Sequence, residues 1–247
     1  MQWLLVDNSN TRTKFALADQ HALGNWRGTL ATAELSPETL AELLHGIAFD
    51  AAVVASVVPL KERLLGDYFA RQVPVHRVDQ HSPLGMGIDY PEPAQIGADR
   101  LVNAVGVMTR YGVPAIVVDS GTAVTFDIVS AEPAYCGGVI APGVAAMTRY
   151  LSQVTALLPQ IELEEPTTVI GKSTVQAMQA GAVIGYRSMV RGILQAIRTE
   201  MTGDPIIIAT GGDASMLARG LPEIHTVDPD LTLEGIRLVA LAVFGGK

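Results

Sequence analysis

Short apolar runs alternate along the chain with stretches whose apolar positions recur every three or four residues. Residues 3–7 (WLLVD) read as a buried strand, and 13–19 (TKFALAD) alternates as a second strand does. Only a short polar stretch separates them, so the pair predicts a hairpin. Residues 36–47 (SPETLAELLHGI) predict a helix that starts at Ser36, with Pro37 at the first helical position and Glu38 and Glu42 near the positive end. The unbroken run 51–58 (AAVVASVV) predicts a parallel strand covered on both faces. Residues 59–70 then predict a helix and 73–79 a strand. The stretch 80–97, rich in proline and glycine, predicts a loop long enough to carry function, and 97–112 predicts a helix.

The pattern then restarts. Residues 114–130 (PAIVVDSGTAVTFDIVS) again give an apolar strand, an acid (Asp119), a small polar turn and an alternating strand. Helices are expected over 143–157 and 173–201, a strand with a glycine turn over 205–214 (PIIIATGGDA), and a closing helix over 233–245. Hairpins followed by βαβ units, twice over, predict a duplicated α/β layer fold with halves at 1–112 and 113–247.

Composition narrows the function classes. Apolar residues make up 49% of the 247, enough for a large core, and charged residues only 17%. A net charge of −8 and a pI near 5.1 argue against nonspecific nucleic-acid binding, which needs a basic face. A nucleotide site is still allowed, since local loops can bind phosphate inside an acidic protein. With Cys136 as the one cysteine, no intrachain disulfide can form. No apolar run approaches the roughly 20 residues that span a bilayer, and no secretory leader is recognisable. The expectation is a soluble, cytoplasmic protein without membrane or nucleic-acid partners.

Two strand–Asp–turn units carry the first chemical signal. A carboxylate at the C-terminal end of a strand lies at the usual ligand edge of an α/β sheet, where it can hold a cation or act on a water. The small residues that follow Asp7 and Asp119 let N–H groups and hydroxyls approach phosphate oxygens closely. One such turn is an ordinary β-turn; two at matching strand ends point to a polyphosphate gripped with a cation. "GADR" (97–100) sets Asp99 near a helix start. It reads either as a plain cap with Arg100 solvated, or as a base acting on an alcohol beside an arginine for a substrate carboxylate. "GKST" (171–174) is no P-loop, because Pro166 stands where the first glycine belongs. Ser173 or Thr174 caps the helix instead. "GGVIAPG" (137–143) reads as a tight turn. The five histidines lack metal-ligand spacing, and Asp127 and Glu132 read as surface or turn residues.

The order of D-x-x-N-T (7–11), GADR (97–100), DSGTA (119–123), G-G-x-I-A-P-G (137–143), GKST (171–174) and TGGDA (210–214) resembles that of the type III pantothenate kinases, over nearly the whole chain. The resemblance implies two RNase-H-like halves of the acetate kinase, sugar kinase, Hsp70 and actin type, with ATP in the cleft. It implies transfer of a phosphoryl group from ATP to pantothenate, the first step of coenzyme A synthesis. Asp99 would be the general base. Asp7 would help organise Mg²⁺ and phosphate, in a first loop comprising Asp7, Asn8, Ser9, Asn10, Thr11, Arg12, Thr13 and Lys14. Thr122 would contact ATP phosphate, and Asp119 would hold K⁺ or NH₄⁺. Tyr90, Gly97, Ala98, Asp99, Arg100 and Thr174 would bind pantothenate. The resemblance also implies a homodimer. One departure is that Ser9 stands where the family usually has glycine, so a positive φ there would strain the loop and a close approach would crowd the phosphate.

Overall fold

In a computed structural model, residues 1–246 are described, and the chain divides into two units. The first comprises residues 1–113, 132–137 and 230 onward; the second comprises 114–131 and 138–229.

The first unit opens with a meander, β1 (Trp3–Asn8), β2 (Arg12–Ala18) and β3 (Leu23–Ala31), followed by α1 (Pro37–Leu43), β4 (Ala51–Ser56), α2 (Pro59–Phe69) and β5 (Val75–Arg77). Its sheet runs β3-β2-β1-β4-β5, antiparallel through the meander and parallel from β1 to β5. The short β6 (Gly87–Ile88) leads to α3 (Ala98–Tyr111). Alternation decides which face each strand residue covers. Leu4, Val6, Phe15, Leu17, Ala52 and Val54 pack with Leu40 and Leu44 near α1 and with Leu65 and Phe69 of α2. Helix α1 starts as its sequence predicts: Ser36 accepts from Thr39 N–H, the Thr39 hydroxyl returns the bond, and Pro37 opens the helix.

The second unit repeats the plan with β7 (Ala115–Ser120), β8 (Ala123–Val129), β9 (Ala134–Pro142), α4 (Val144–Val154), α5 (Thr174–Glu200), β10 (Ile206–Thr210), α6 (Ala214–Ala218) and β11 (Thr226–Val227). Its strands lie in the order β9-β8-β7-β10-β11, the same arrangement as β3-β2-β1-β4-β5. The matched orders support the duplication read from the sequence. Its core joins Ile116, Val118 and Phe126 to Tyr186, Val190 and Leu194 of α5. Strand β9 begins in the first unit, where Ala134 and Tyr135 pair in parallel with Gly87 and Ile88.

Four strands escape the sequence pattern, among them β6, two residues within the stretch 80–97 expected as a loop. β3 is an edge strand whose residues are mostly exposed or half-buried, so it has no apolar alternation to detect. Most of "GGVIAPG" belongs to β9 rather than to a tight turn, and β11 is only two residues long. The closing helix α7 (Leu231–Phe244) also departs from the expected halves, since it folds with the first unit. It lies against α3 and β1. Thr232 donates to Asn103 Oδ1 at 2.8 Å, and the buried Arg237 grips Glu234 at 2.7 and 2.9 Å while donating to Gln20 O at 3.1 Å. The closeness rests on Gly235, where a Cβ would lie 1.9 Å from Val102 O, a backbone atom that cannot turn aside. Gly235→Ala is expected to destabilise the protein by about 1–3 kcal/mol, seen as a lower midpoint in urea unfolding. An unchanged midpoint would mean that the α3–α7 contact is loose.

Candidate functional site

Asp7 is the penultimate residue of β1, and Asp119 is the penultimate residue of β7. The duplication thus gives each unit a carboxylate at the same strand end. Three residues link β1 to β2 and two link β7 to β8.

In the first unit, Asp7 is 4% exposed and stands directly across from Lys14, whose Nζ lies 3.6 Å from Asp7 Oδ2. Ser9 Oγ donates to the other oxygen at 3.0 Å. Burial pushes the Asp7 carboxyl up from its usual range, against the pull of Lys14 and Ser9. Below it a polar chain fixes the loop. Ser56 donates to Asn8 Oδ1 at 2.6 Å, and Asn8 Nδ2 donates to Thr13 Oγ1 at 2.7 Å. Thr32 Oγ1 gives its proton to Ser9 O at 2.7 Å, so across the 3.0 Å contact between the two threonines Thr13 must be the donor. Asn8 and Thr13 are therefore turned into the protein, where their side chains shape the loop. Asn10, Thr11 and Arg12 are exposed, and Lys14 is half-buried. Among the described residues no non-glycine residue has a positive φ, so Ser9 carries no backbone strain. Its hydroxyl is used on Asp7.

The same unit holds the acceptor residues expected from the sequence. Gly97 precedes α3, Ala98 is buried in its first turn, and Asp99 and Arg100 are half-buried. Arg100 N–H donates to Asp99 Oδ1 at 2.8 Å. The Arg100 guanidinium lies 5.6 Å above the ring of Tyr135, and Tyr90 packs on that ring with centroids 6.4 Å apart. Tyr135 was not expected here. Only the late β9 strand brings it in, and parallel pairing with β6 is not visible in two residues of sequence.

In the second unit, Asp119 is half-buried and pairs in register with Thr125 and Thr210. Gly211, at φ 90°, covers it so closely that a Cβ would lie 2.5 Å from Asp119 Oδ1, so the glycine of "TGGDA" is required. Ser120 Oγ meets the buried Tyr186 hydroxyl at 3.0 Å, and that hydroxyl also accepts the Val144 N–H that opens α4. Burial and the nearby Asp213 and Asp119 keep the Tyr186 phenol neutral by pushing its pKa up. Burial also raises the carboxyl of Asp213. Neither Tyr186 nor Asp213 had been given a role from the sequence. Thr122 is exposed on the loop, and Gly143 N donates to Thr122 O at 3.2 Å. Ser173, not Thr174, caps α5, accepting from Gln176 N. Thr174 is exposed and belongs to this second unit.

Residues 3–196 match the family model described as type III pantothenate kinase. A type III pantothenate kinase from Akkermansia muciniphila is 53% identical over 240 residues, covering 97% of this chain and 98% of the relative. The chain belongs to the type III pantothenate kinases. A second family member, from Methylacidiphilum infernorum, is 41% identical over 96% of this chain and 87% of its own length. Among solved structures, the activator of 2-hydroxyisocaproyl-CoA dehydratase from Clostridium difficile with bound ADPNP aligns with a TM-score of 0.57 at 12% identity, covering 100% of this chain and 95% of its own. The ethanolamine utilization protein EutJ from Carboxydothermus hydrogenoformans aligns with a TM-score of 0.60 at 15% identity, over 97% and 90%. At such identities these neighbours bear on the fold alone, two α/β units.

The state of Asp7 yields a test. A carboxyl whose folded pKa is raised lowers stability as pH climbs through its titration above 3.8, and the cost persists at neutral pH. Asp7→Asn removes that cost, so it should raise Tm at pH 7, with the gain disappearing below about pH 4. A lower Tm at pH 7 would show that the Lys14 pair outweighs burial.

Proposed function

We propose that this chain transfers the γ-phosphoryl group of ATP to the primary hydroxyl of pantothenate, giving ADP and 4′-phosphopantothenate. The observation that carries the reading is Asp99 in the first turn of α3, beside Arg100 and in the same unit as the first strand-end loop, in a chain of this family. Phosphoryl transfer needs positioning and charge neutralisation more than covalent help. Asp99 accepts the proton of the attacking hydroxyl as its oxygen bonds to phosphorus and the bond to the ADP oxygen breaks. Arg100 takes the substrate carboxylate as a charged, forked donor, and Tyr90 flanks it. Ser9, Asn10, Thr11, Arg12 and Lys14 of the first loop would meet ATP phosphate, and Thr122 is a phosphate contact of the second loop.

The carboxylates and hydroxyls at the two strand ends are hard oxygen donors, which fit Mg²⁺ and a monovalent cation rather than a soft metal. Asp7 would help organise Mg²⁺, and Asp119 would hold K⁺ or NH₄⁺. Bound cations there offset the negative charge of polyphosphate beside aspartates. A free, exposed Cys136 fits a reducing cytoplasm. Among the described residues no helix is long and apolar enough to cross a membrane.

A coupled ADP-release assay tests this reading. Wild type should turn over pantothenate in K⁺ and slow in Na⁺, while Asp99→Asn should lose about 10²- to 10⁴-fold in kcat with its fold intact. No turnover of pantothenate by wild type sinks the proposal, and full activity of Asp99→Asn removes Asp99 as base. We also propose a homodimer. Its support is apolar exposure on α4 and on the chain leading to α5: Tyr150 is 63% exposed, Leu157 89% and Ile170 75%. Sedimentation equilibrium should give twice the mass of the chain, and Leu157→Asp with Ile170→Asp should shift it towards the monomer; a monomeric wild type would refute this.

A further inference from the structure

Residues 132–137 follow the second hairpin in sequence, yet they fold with the first unit. Backbone pairing holds them there: Gly87 N donates to Pro133 O at 2.8 Å and Asp89 N to Tyr135 O at 2.9 Å. This fixes Tyr135 completely buried, with the Arg100 guanidinium above its ring and Tyr90 against it. We propose that Tyr135 is a positioning residue that sets acceptor specificity, holding the Arg100 guanidinium where a substrate carboxylate meets it. The inference rests on the reading of the chain as a pantothenate kinase with Arg100 on that carboxylate.

The physical reason lies in the arginine side chain. Free in solution it samples many rotamers, and fixing it costs conformational entropy. A guanidinium within about 6 Å of a ring centroid is drawn to the negative ring face. Tyr135 orders Arg100 before the substrate arrives, so less entropy is lost on binding. Tyr135 itself touches no reacting atom. Its effect therefore appears only for acceptors that carry the carboxylate, and not in the handling of ATP.

Kinetics of the full chain, with pantothenate and with its primary amide as acceptors, separate this from a merely structural role. Tyr135→Leu should raise KM for pantothenate about five- to tenfold, while kcat and KM for ATP change by less than about twofold. The preference for pantothenate over the amide should shrink by the same factor. Tyr135→Phe, which keeps the ring face, should retain the wild-type KM. In an Arg100→Met background, Tyr135→Leu should add nothing further. Tyr135→Met, flexible and of similar volume, carries the same test if Tyr135→Leu fails to fold. Equal losses on both acceptors, or a lower Tm with KM and amide preference intact, overturn the inference alone. A wild-type chain that leaves pantothenate unphosphorylated overturns the functional reading and this inference together.

Discussion

Asp7, next to last in the central strand of the first sheet, has almost no access to water, and burying a carboxylate there works against folding. Much of the local structure answers that constraint. Lys14 stands across the hairpin on one oxygen, and Ser9 caps the other from within the turn. Asn8, Thr13, Thr32 and Ser56 satisfy one another beneath, so the loop keeps its shape without spending its exposed groups. The first turn is thus held in one shape by its own side chains, at a standing cost in stability.

The second unit meets the same demand by other means. Asp119 has threonines beside it in the sheet rather than a lysine, and Gly211 lets the backbone close over it. A tyrosine hydroxyl ties the strand end to the start of α4. The duplicated frame has preserved the position of the acid while its supporting partners have diverged. One unit sets a lysine across from its acid; the other sets threonines on both sides of it.

Much of this was legible in the sequence because it is local. Strand, acid and small-residue turn are consecutive, so both loops could be read directly, and Ser36-Pro37 announced α1. What stayed hidden depends on contacts distant in the chain. β3 pairs along only one side and alternates poorly, and Tyr135 reaches Arg100 only through pairing with a two-residue strand. Asn8 and Thr13 carry the polarity of ligand residues, yet their partners lie at positions 56 and 32, which no local pattern connects. The same holds for Ser9, whose cost or benefit depended on a backbone angle and on which way its hydroxyl turned.

The placement of α7 affects the order of events during synthesis. The strands and helices of the first unit leave the ribosome early, but the helix that covers Trp3 and Leu5 from α3's side is built from residue 231 onward. Until it arrives, an apolar face of the first sheet lacks its cover, while the intervening second unit can already complete its own core. The nascent chain therefore closes its first-made part last, and shielding that face from other chains falls to whatever meets the polypeptide as it emerges.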